Sequence, residues 1–219
     1  MRRSLYKYFS KREWADEFLD GKLFFSSLSY FRDYEDENIR GDQNEGVSSY
    51  RPPGGLVGYN QTQGKPFVLP NHAFNSTTNQ DEIFVLCASE VFSEQLRIDF
   101  DAVACVEILK IGTLCNRIRA RLPHGATFFN RRVEYYKPTE PPRERWALPD
   151  KIATSKHDGY AWQCEYRFVV SRTDALSFEN VSLALTTEPP SRSRTAKAHP
   201  TYMLCVGDLR RICRPVEFK

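Results

Sequence analysis

The most informative stretch of the sequence is Trp162-Gln163-Cys164-Glu165-Tyr166-Arg167, in which polar and apolar residues alternate. Side chains along a strand alternate between its two faces, so we predict a strand over residues 163–171 with Gln163, Glu165 and Arg167 on one side. A carboxylate on a rigid strand, with an amide one pleat away at roughly 6 to 7 Å, suits a site that stabilises a developing positive charge. The simpler interpretation is an antiparallel strand with one face in solvent.

Length and composition indicate one domain that folds on its own. The chain has 219 residues, of which 41% are hydrophobic and 13% aromatic, and this is enough apolar material for a packed core. No apolar run approaches the length of a bilayer span, and the first residues lack the apolar segment of a signal peptide. We therefore expect a soluble, cytoplasmic protein with no membrane contact.

The six cysteines, at positions 87, 105, 115, 164, 205 and 213, are scattered along the chain. None belongs to a Cys-x-x-Cys pair or has a histidine nearby at metal-ligand spacing. We expect reduced thiols and no bound metal.

The order of predicted elements is that of an α+β protein, without the Gly-rich phosphate motif of a doubly wound nucleotide fold. A first helix is predicted because Ser10 and Glu13 have the spacing of a capping box, and Gly21 ends it. Further helices are predicted over residues 89–98 and 112–122, with one helical turn around Leu209 and Ile212. Strands are predicted over residues 5–9, 22–29, 83–88, 102–109, 126–136, 163–171, 181–186 and 202–206.

Residues 40–82 interrupt this order. The segment is rich in Gly, Pro, Asn, Gln and Ser and has few apolar runs. A connection of this length with so little periodicity is unusual inside a compact domain. We predict a long irregular loop within the single domain, either functional or partly disordered.

Positive charge is concentrated in the middle of the chain. Residues 110–145 carry nine Lys and Arg against three Glu, with aromatic residues interleaved at positions 128, 129, 135 and 136. Such a surface is typical of phosphate contact combined with base stacking. The alternative is an ordinary basic face with its aromatic residues turned inward. The candidate contacts in this segment are Arg117, Arg119, Arg121, Arg131 and Arg132.

Three separated segments follow one another in a recognisable order: Leu5-Tyr6-Lys7-Tyr8, then Phe24-Phe25-Ser26-Ser27-Leu28-Ser29, then residues 162–167 preceded by Lys156 and Tyr160. In this order they resemble the ADP-ribosyltransferase fold, and in particular a large, mostly uncharacterised bacterial family related to toxin-like mono-ADP-ribosyltransferases. Gln163 stands where that family has the first Glu of a Glu-x-Glu motif. The resemblance covers about half of the chain, and it implies split antiparallel sheets with a few peripheral helices.

The resemblance also implies NAD as the substrate and gives roles to individual residues. Glu165 matches the strand-borne Glu that stabilises the oxocarbenium ion formed as nicotinamide leaves NAD. Gln163 matches the group that orients the acceptor. Ser27 and Ser29 match a Ser-x-Ser that holds the catalytic Glu and the nicotinamide ribose, with Ser26 as the alternative register.

The remaining candidate NAD contacts fit the family pattern only in part. An aromatic residue after the serine strand stacks on nicotinamide in the family, and Tyr30 and Tyr34 are its candidates here. The first strand has Tyr6-Lys7-Tyr8 where the toxin-like branch has an arginine for the NAD phosphates. Lysine binds phosphate as a point charge and cannot form the bidentate fork of arginine. Arg40 in the long segment is the second candidate, unless it forms a solvent-exposed ion pair in a turn.

The function that the resemblance implies is a mono-ADP-ribosyltransferase that cleaves NAD and modifies a macromolecule, as a bacterial toxin or anti-phage effector. The positive charge of residues 110–145 favours a nucleic-acid acceptor, RNA or DNA, contacted by the five arginines. The Gln-x-Glu variant goes instead with protein amide acceptors in the family, so a protein side chain stays open as the acceptor. A non-catalytic binding module of the same fold is the third interpretation. A toxin would also need an antitoxin as a partner, which no segment identifies.

Overall fold

A computed structural model of the protein describes residues 4–33, 42, 44–172, 174–187 and 198–218. Over these residues the predicted α+β class is confirmed, with mostly antiparallel sheets and few helices. The helices are α1 Arg12–Leu19, α2 Leu28–Asp33, α3 Glu94–Asp99, α4 Ile111–Arg119 and α5 Pro149–Ile152, with 3-10 turns at Arg143–Trp146, Asp158–Gln163 and Phe178–Asn180. The strands are β1 Leu5–Phe9, β2 Lys22–Ser27, β3 Val47–Tyr50, β4 Leu56–Asn60, β5 Lys65–Leu69, β6 Ala73–Thr77, β7 Ile83–Ser89, β8 Ala104–Ile108, β9 Thr127–Arg132, β10 Glu134–Tyr136, β11 Ser155–His157, β12 Glu165–Ser171, β13 Ser182–Thr186, β14 Thr201–Cys205 and β15 Cys213–Val216.

The largest sheet has eight strands and is built around β7. One edge of β7 pairs with β12 along its whole length. The other edge is shared, because the start of β7 pairs with β2 and its end pairs with β1 through Ser89 opposite Tyr6. Between these two pairings, residues 86–88 have no paired residue on that edge among the described strands. The sheet continues through β14 beside β2, β8 and β15 beside β1, and β9 beside β12.

Helices α1 and α4 cover one face of this sheet. The apolar stripe of α1 contributes Phe18 to the core, and that of α4 contributes Leu114 and Ile118. These side chains belong to the same cluster as Phe84 of β7 and Phe168 of β12. Full burial of each such side chain contributes roughly 1.5–3 kcal/mol. A smaller apolar cluster that includes α2 covers part of the opposite face. Strands β7 and β12 are therefore buried on both faces.

The predicted first helix is present as α1, but it begins differently. Its N-cap is Lys11, which makes no side-chain cap bond, so the capping box predicted at Ser10 and Glu13 is wrong. The helix stops before Gly21 as predicted, and the φ of Gly21 is +89°. A Cβ at this position would lie 2.2 Å from the backbone oxygen of Gly207, so the turn requires glycine.

The irregular loop predicted over residues 40–82 is wrong, because the described part of this segment contains strands β3 to β6. β3, β6 and β13 form a three-stranded sheet, and β4 and β5 form a separate hairpin. Buried positions of β3 and β6 carry polar residues such as Ser48, Asn75 and Ser76, while β4 and β5 are largely exposed on both faces. Strands of either kind lack the apolar alternation by which a strand is predicted.

Other boundaries also differ from the prediction. β2 stops at Ser27, and the residues that follow form α2. The strand predicted over 126–136 is divided into β9 and β10, and β10 pairs in parallel with β11. The helix predicted over 89–98 is confined to α3, and the terminal helical turn is replaced by a turn that leads into β15 beside β8. No helix in the described part of the chain is both long and apolar enough to cross a membrane.

Candidate active site

A cavity of about 420 Å³ lies where β1 and β2 separate along the edge of β7. Nine of its 21 lining residues are aromatic, and they come from β1, α1, β2, α2 and the residue after α3. Cys87 and Ala88 of β7 line it between the two strands. Its volume and its aromatic wall with a few polar groups are typical of a small-molecule site.

Lys156, Gln163 and Glu165 form a polar cluster in the cavity wall where β12 begins. The Glu165 side chain is almost fully buried, and both of its oxygens are engaged. Oε1 accepts a hydrogen bond from Nε of Arg167 at 2.7 Å, and Oε2 accepts one from the ammonium group of Lys156 at 3.2 Å. The backbone N–H of Glu165 donates to Tyr135 Oη at 2.8 Å. The carboxylate is therefore held in one orientation.

The electrostatic surroundings keep this carboxylate ionised. Burial alone would raise the pKa of Glu165, but the positive charges of Arg167 and Lys156 outweigh burial and hold the pKa well below its usual range. Hydrogen bonds from Arg167 and from the Cys87 thiol act in the same direction. Glu165 is thus negatively charged at neutral pH although water hardly reaches it.

Gln163 reaches the same cluster without belonging to the strand. It ends the 3-10 turn Asp158–Gln163, and Cys164 has a φ of +44°, so β12 begins only at Glu165. The prediction that Gln163 lies on the strand is therefore wrong. Its side chain is nonetheless buried, and its Oε1 accepts a hydrogen bond from Lys156 Nζ at 2.9 Å. Its backbone oxygen accepts one from Ser89 Oγ at 2.8 Å, which anchors the turn to β7.

Arg167 extends the cluster into the interior through an ion pair that sequence reasoning missed. Its two terminal nitrogens donate to the two oxygens of Glu45 at 2.5 and 2.8 Å, and one of them also donates to the backbone oxygen of Ala153 at 2.7 Å. Both side chains are at most 1% exposed. Arg167 and Lys156 thus pair with Glu45 and Glu165 in the interior, where an unpaired charge would be costly. An arginine flanked by apolar residues on a core strand was the available signal.

The predicted serine contacts divide between two places. Ser27 Oγ and Ser29 Oγ lie 2.9 Å apart, and Ser29 donates to Asp81 at 2.5 Å, so this pair is bound to Asp81 and does not line the cavity. Ser29 lies on α2 and not on the strand. Ser26 does line the cavity, as the alternative register implies, because it lies on the opposite face of β2 from Ser27. Tyr30 lines the cavity as well.

All three predicted residues of the first strand, Tyr6, Lys7 and Tyr8, line the cavity. The Tyr8 hydroxyl donates to the backbone oxygen of Val91 at 3.1 Å, and burial raises the pKa of Tyr8 to about 12. The Lys7 ammonium lies 5.8 Å from the centre of the Phe9 ring. The two other predicted NAD contacts, Tyr34 and Arg40, lie outside the described residues.

None of the five candidate arginines lines the cavity. Arg117 donates to the backbone oxygen of Asp208 at 2.5 Å, and the Arg119 guanidinium lies 5.1 Å from the centre of the Phe128 ring. Arg121 follows the end of α4. Some of the arginines and aromatic rings that alternate in the sequence thus contact each other within the protein.

The two arginines on β9 point to opposite faces of the sheet. Arg131 pairs with Asp150 at 2.9 Å and Arg132 pairs with Glu90 at 2.7 Å. Neighbouring residues of a strand alternate in direction, so Arg131 and Arg132 leave β9 on opposite sides and meet different acidic partners. Their charges are therefore partly compensated within the protein.

No protein-family model, curated protein or solved structure matches this chain. In the described part of the chain, no group of three or more His, Cys, Asp or Glu side chains is arranged to hold a metal ion.

Proposed function

We propose that the cavity binds NAD, that Glu165 promotes cleavage of its glycosidic bond, and that the protein is a mono-ADP-ribosyltransferase with an ADP-ribosyltransferase-like fold. The observation that carries this proposal is an ionised carboxylate fixed in the wall of an aromatic cavity, at the gap between β1 and β2. The order of the three sequence segments supports it, since β1, β2 and the start of β12 all contribute to this cavity.

The chemistry needs a negative charge at a defined place. The bond between ribose C1′ and the nicotinamide nitrogen breaks, and its electron pair stays with nicotinamide, which leaves as a neutral molecule. The ribose becomes an oxocarbenium ion, which a nearby carboxylate stabilises. An acceptor oxygen or nitrogen then attacks C1′ with a lone pair and releases a proton. With water as the acceptor, the product is ADP-ribose.

The other lining residues suit the rest of the NAD molecule. Aromatic side chains provide flat surfaces for the nicotinamide and adenine rings. Lys7 on β1 and Lys22 on β2 line the cavity from the two strands that border the gap, and they supply positive charge for the pyrophosphate. Lys22 pairs with Glu17 at 3.2 Å where both side chains are exposed. Such a pair contributes little, so phosphate can displace the carboxylate.

The acceptor that we propose is a nucleic acid, as the positive charge of residues 110–145 suggests. A protein side chain is the second candidate, because Arg131 and Arg132 are already paired with acidic residues. Reversing the charge at Arg117, Arg119 and Arg121 separates the two. If RNA or DNA is bound there, affinity and its salt dependence should both fall, the slope by about one unit for each phosphate that is no longer neutralised. An unchanged slope would exclude these residues from the nucleic-acid interface.

A non-catalytic binding module is favoured by one observation. Both oxygens of Glu165 are engaged by cations in the described structure, so its negative charge is compensated before any ligand binds. In this candidate Glu165 supports the fold, and a nucleotide-sized ligand would bind without being cleaved.

Incubation with radiolabelled NAD decides between catalysis and binding. Nicotinamide release and label transfer are measured with RNA, with DNA and with a cell lysate. Glu165→Gln keeps the shape and removes the charge, and both activities should fall at least about 100-fold. Glu134→Gln is the matched control, since that carboxylate lies on β10 outside the cavity and pairs with Arg145. Activity that survives Glu165→Gln would contradict the catalytic role, and NAD binding without nicotinamide release would favour the binding module.

A further inference from the structure

Lys156, on the short strand β11, contacts both residues to which the proposed reaction gives a role. Its side chain is 4% exposed and lines the cavity. The ammonium group donates to Gln163 Oε1 at 2.9 Å and to Glu165 Oε2 at 3.2 Å, and it lies 4.7 Å from the centre of the Tyr160 ring. The sequence motifs include this lysine but assign it no function.

The hydrogen-bonding chemistry of an ammonium group restricts Gln163 to one orientation. An ammonium has three donors and no acceptor, so it can face only the oxygen of the Gln163 amide. Rotation of the amide by 180° would set the NH₂ group of Gln163 against the donors of Lys156. The same cation fixes Oε2 of Glu165, while Arg167 fixes Oε1. One buried lysine therefore sets the orientation of both groups.

We propose that Lys156 is a positioning residue for ADP-ribose transfer, which fixes the sense of the Gln163 amide and the direction of the Glu165 carboxylate in the cavity. This inference rests on the proposed function, because it needs a reaction at Glu165. A positioning role differs from a merely stabilising one in what its loss does. Without Lys156, Gln163 and Glu165 stay at the same places in the fold, but the amide and the carboxylate lose their common orientation.

The charge that this role requires persists in the interior. Burial alone would lower the pKa of Lys156, but the negative charges of Glu165 and Glu45 outweigh burial and raise the pKa. Lys156 is therefore an ammonium donor at neutral pH and not a base. The Tyr160 ring adds a cation–π contact on a third side.

Kinetics of Lys156→Met test the positioning role. Methionine has a similar length but no donor, so kcat for nicotinamide release should fall about 30-fold, the effect of losing one hydrogen bond to a charged group. KM for NAD should stay within about threefold, because orientation rather than binding is lost. Lys151→Met is the matched control, since Lys151 is more exposed and its closest acidic partner, Glu144, is 3.7 Å away. Unchanged kcat, or equal losses in kcat and in NAD affinity, would overturn the proposal.

A double-mutant cycle tests whether Lys156 acts through Gln163. Label transfer is measured for Lys156→Met, Gln163→Ala and the double variant. When two residues act as one unit, the loss of activity in the double variant is smaller than the product of the two single losses. The double variant should therefore transfer about as much label as the less active of the two single variants. Fully multiplicative losses would show that Lys156 does not act through the amide.

NMR of the wild-type protein tests the geometry without any substitution or activity. The ¹H–¹⁵N signal of the Lys156 ammonium group should exchange with water much more slowly than that of Lys151. The two protons of the Gln163 side-chain amide should be shifted from ordinary glutamine positions. An ammonium that exchanges as fast as that of Lys151 would overturn the proposal. If the NMR result is as expected but wild-type protein releases no nicotinamide, then the proposed function fails and the orientation of Gln163 by Lys156 stands.

Discussion

Replacing Arg167 with methionine should destabilise the protein strongly, because it leaves two buried carboxylates without their shared cation. Arg167 donates two hydrogen bonds to Glu45 and one to Glu165. Glu165 keeps its contact with Lys156, whereas Glu45, which is fully buried, loses its bidentate partner. The cost of the substitution therefore arises mainly at Glu45.

The expected loss is about 3–5 kcal/mol in the free energy of unfolding, the cost of removing one partner of a buried ion pair. This is a large part of the roughly 5–15 kcal/mol by which a domain is stable. The double variant Arg167→Met with Glu45→Met should be more stable than the single variant, because an apolar pair of similar volume leaves no buried charge. The second substitution thus restores stability although it removes another native side chain.

Urea unfolding followed by tryptophan fluorescence measures these differences, provided that the m-values of all variants agree. Arg172→Met is the matched control, because Arg172 pairs with Glu82 at 3.2 Å with its side chain 61% exposed. Its loss should not exceed about 1 kcal/mol. An Arg167→Met variant within about 1 kcal/mol of the wild type, or a double variant less stable than the single, would refute the reasoning.

Three further predictions concern the site and the fold. The pKa of Glu165 is lowered in the folded state, so its contribution to stability is complete above the unfolded pKa of about 4.3 and is lost as the pH falls below that value. The free energies of unfolding of wild type and Glu165→Gln, measured in urea, should therefore differ most above pH 5 and converge in acid. Gln163→Ala should reduce label transfer more than NAD hydrolysis, since cleavage needs the carboxylate and transfer needs an oriented acceptor, and equal losses would contradict this division. Gly21→Ala should lower the free energy of unfolding by about 1–3 kcal/mol because Gly21 has a positive φ and a Cβ there would clash with Gly207. Gly112→Ala on α4 is the control: the space around Gly112 is open, so this variant should unfold at the same temperature as the wild type or at a higher one.

The central strands and the first helix could be predicted well from the sequence, because their apolar residues recur with clear periods. The strand predicted at 83–88 is β7, and the helix before Gly21 is α1. The same reasoning placed Glu165 on a strand, where it lies in the wall of the cavity. Strong local patterns were sufficient in these cases.

Two kinds of feature could not be predicted: contacts between distant segments, and local backbone geometry that the alternation of residues does not reveal. Glu45 and Arg167 are 122 residues apart in sequence, and nothing local indicates that they form a buried pair. Gln163 was assigned to the strand because alternation alone does not reveal that Cys164 adopts a positive φ. Ser27 was expected to hold the catalytic Glu and the nicotinamide ribose, with Ser26 as the alternative register. In the structure the Ser27 hydroxyl lies against Ser29, and β2 presents Ser26 to the cavity. A shift of one residue in a strand exchanges its faces.

The gap along β7 gives the cavity a form of recognition that does not depend on side chains. Alternate residues of a strand direct their backbone N–H and C=O groups to a given edge, and no described strand pairs with residues 86–88 on the edge that borders the cavity. A ligand in the gap can therefore bond to the main chain much as a neighbouring strand would. Except for a change to proline, which lacks the backbone N–H, no side-chain substitution removes those groups.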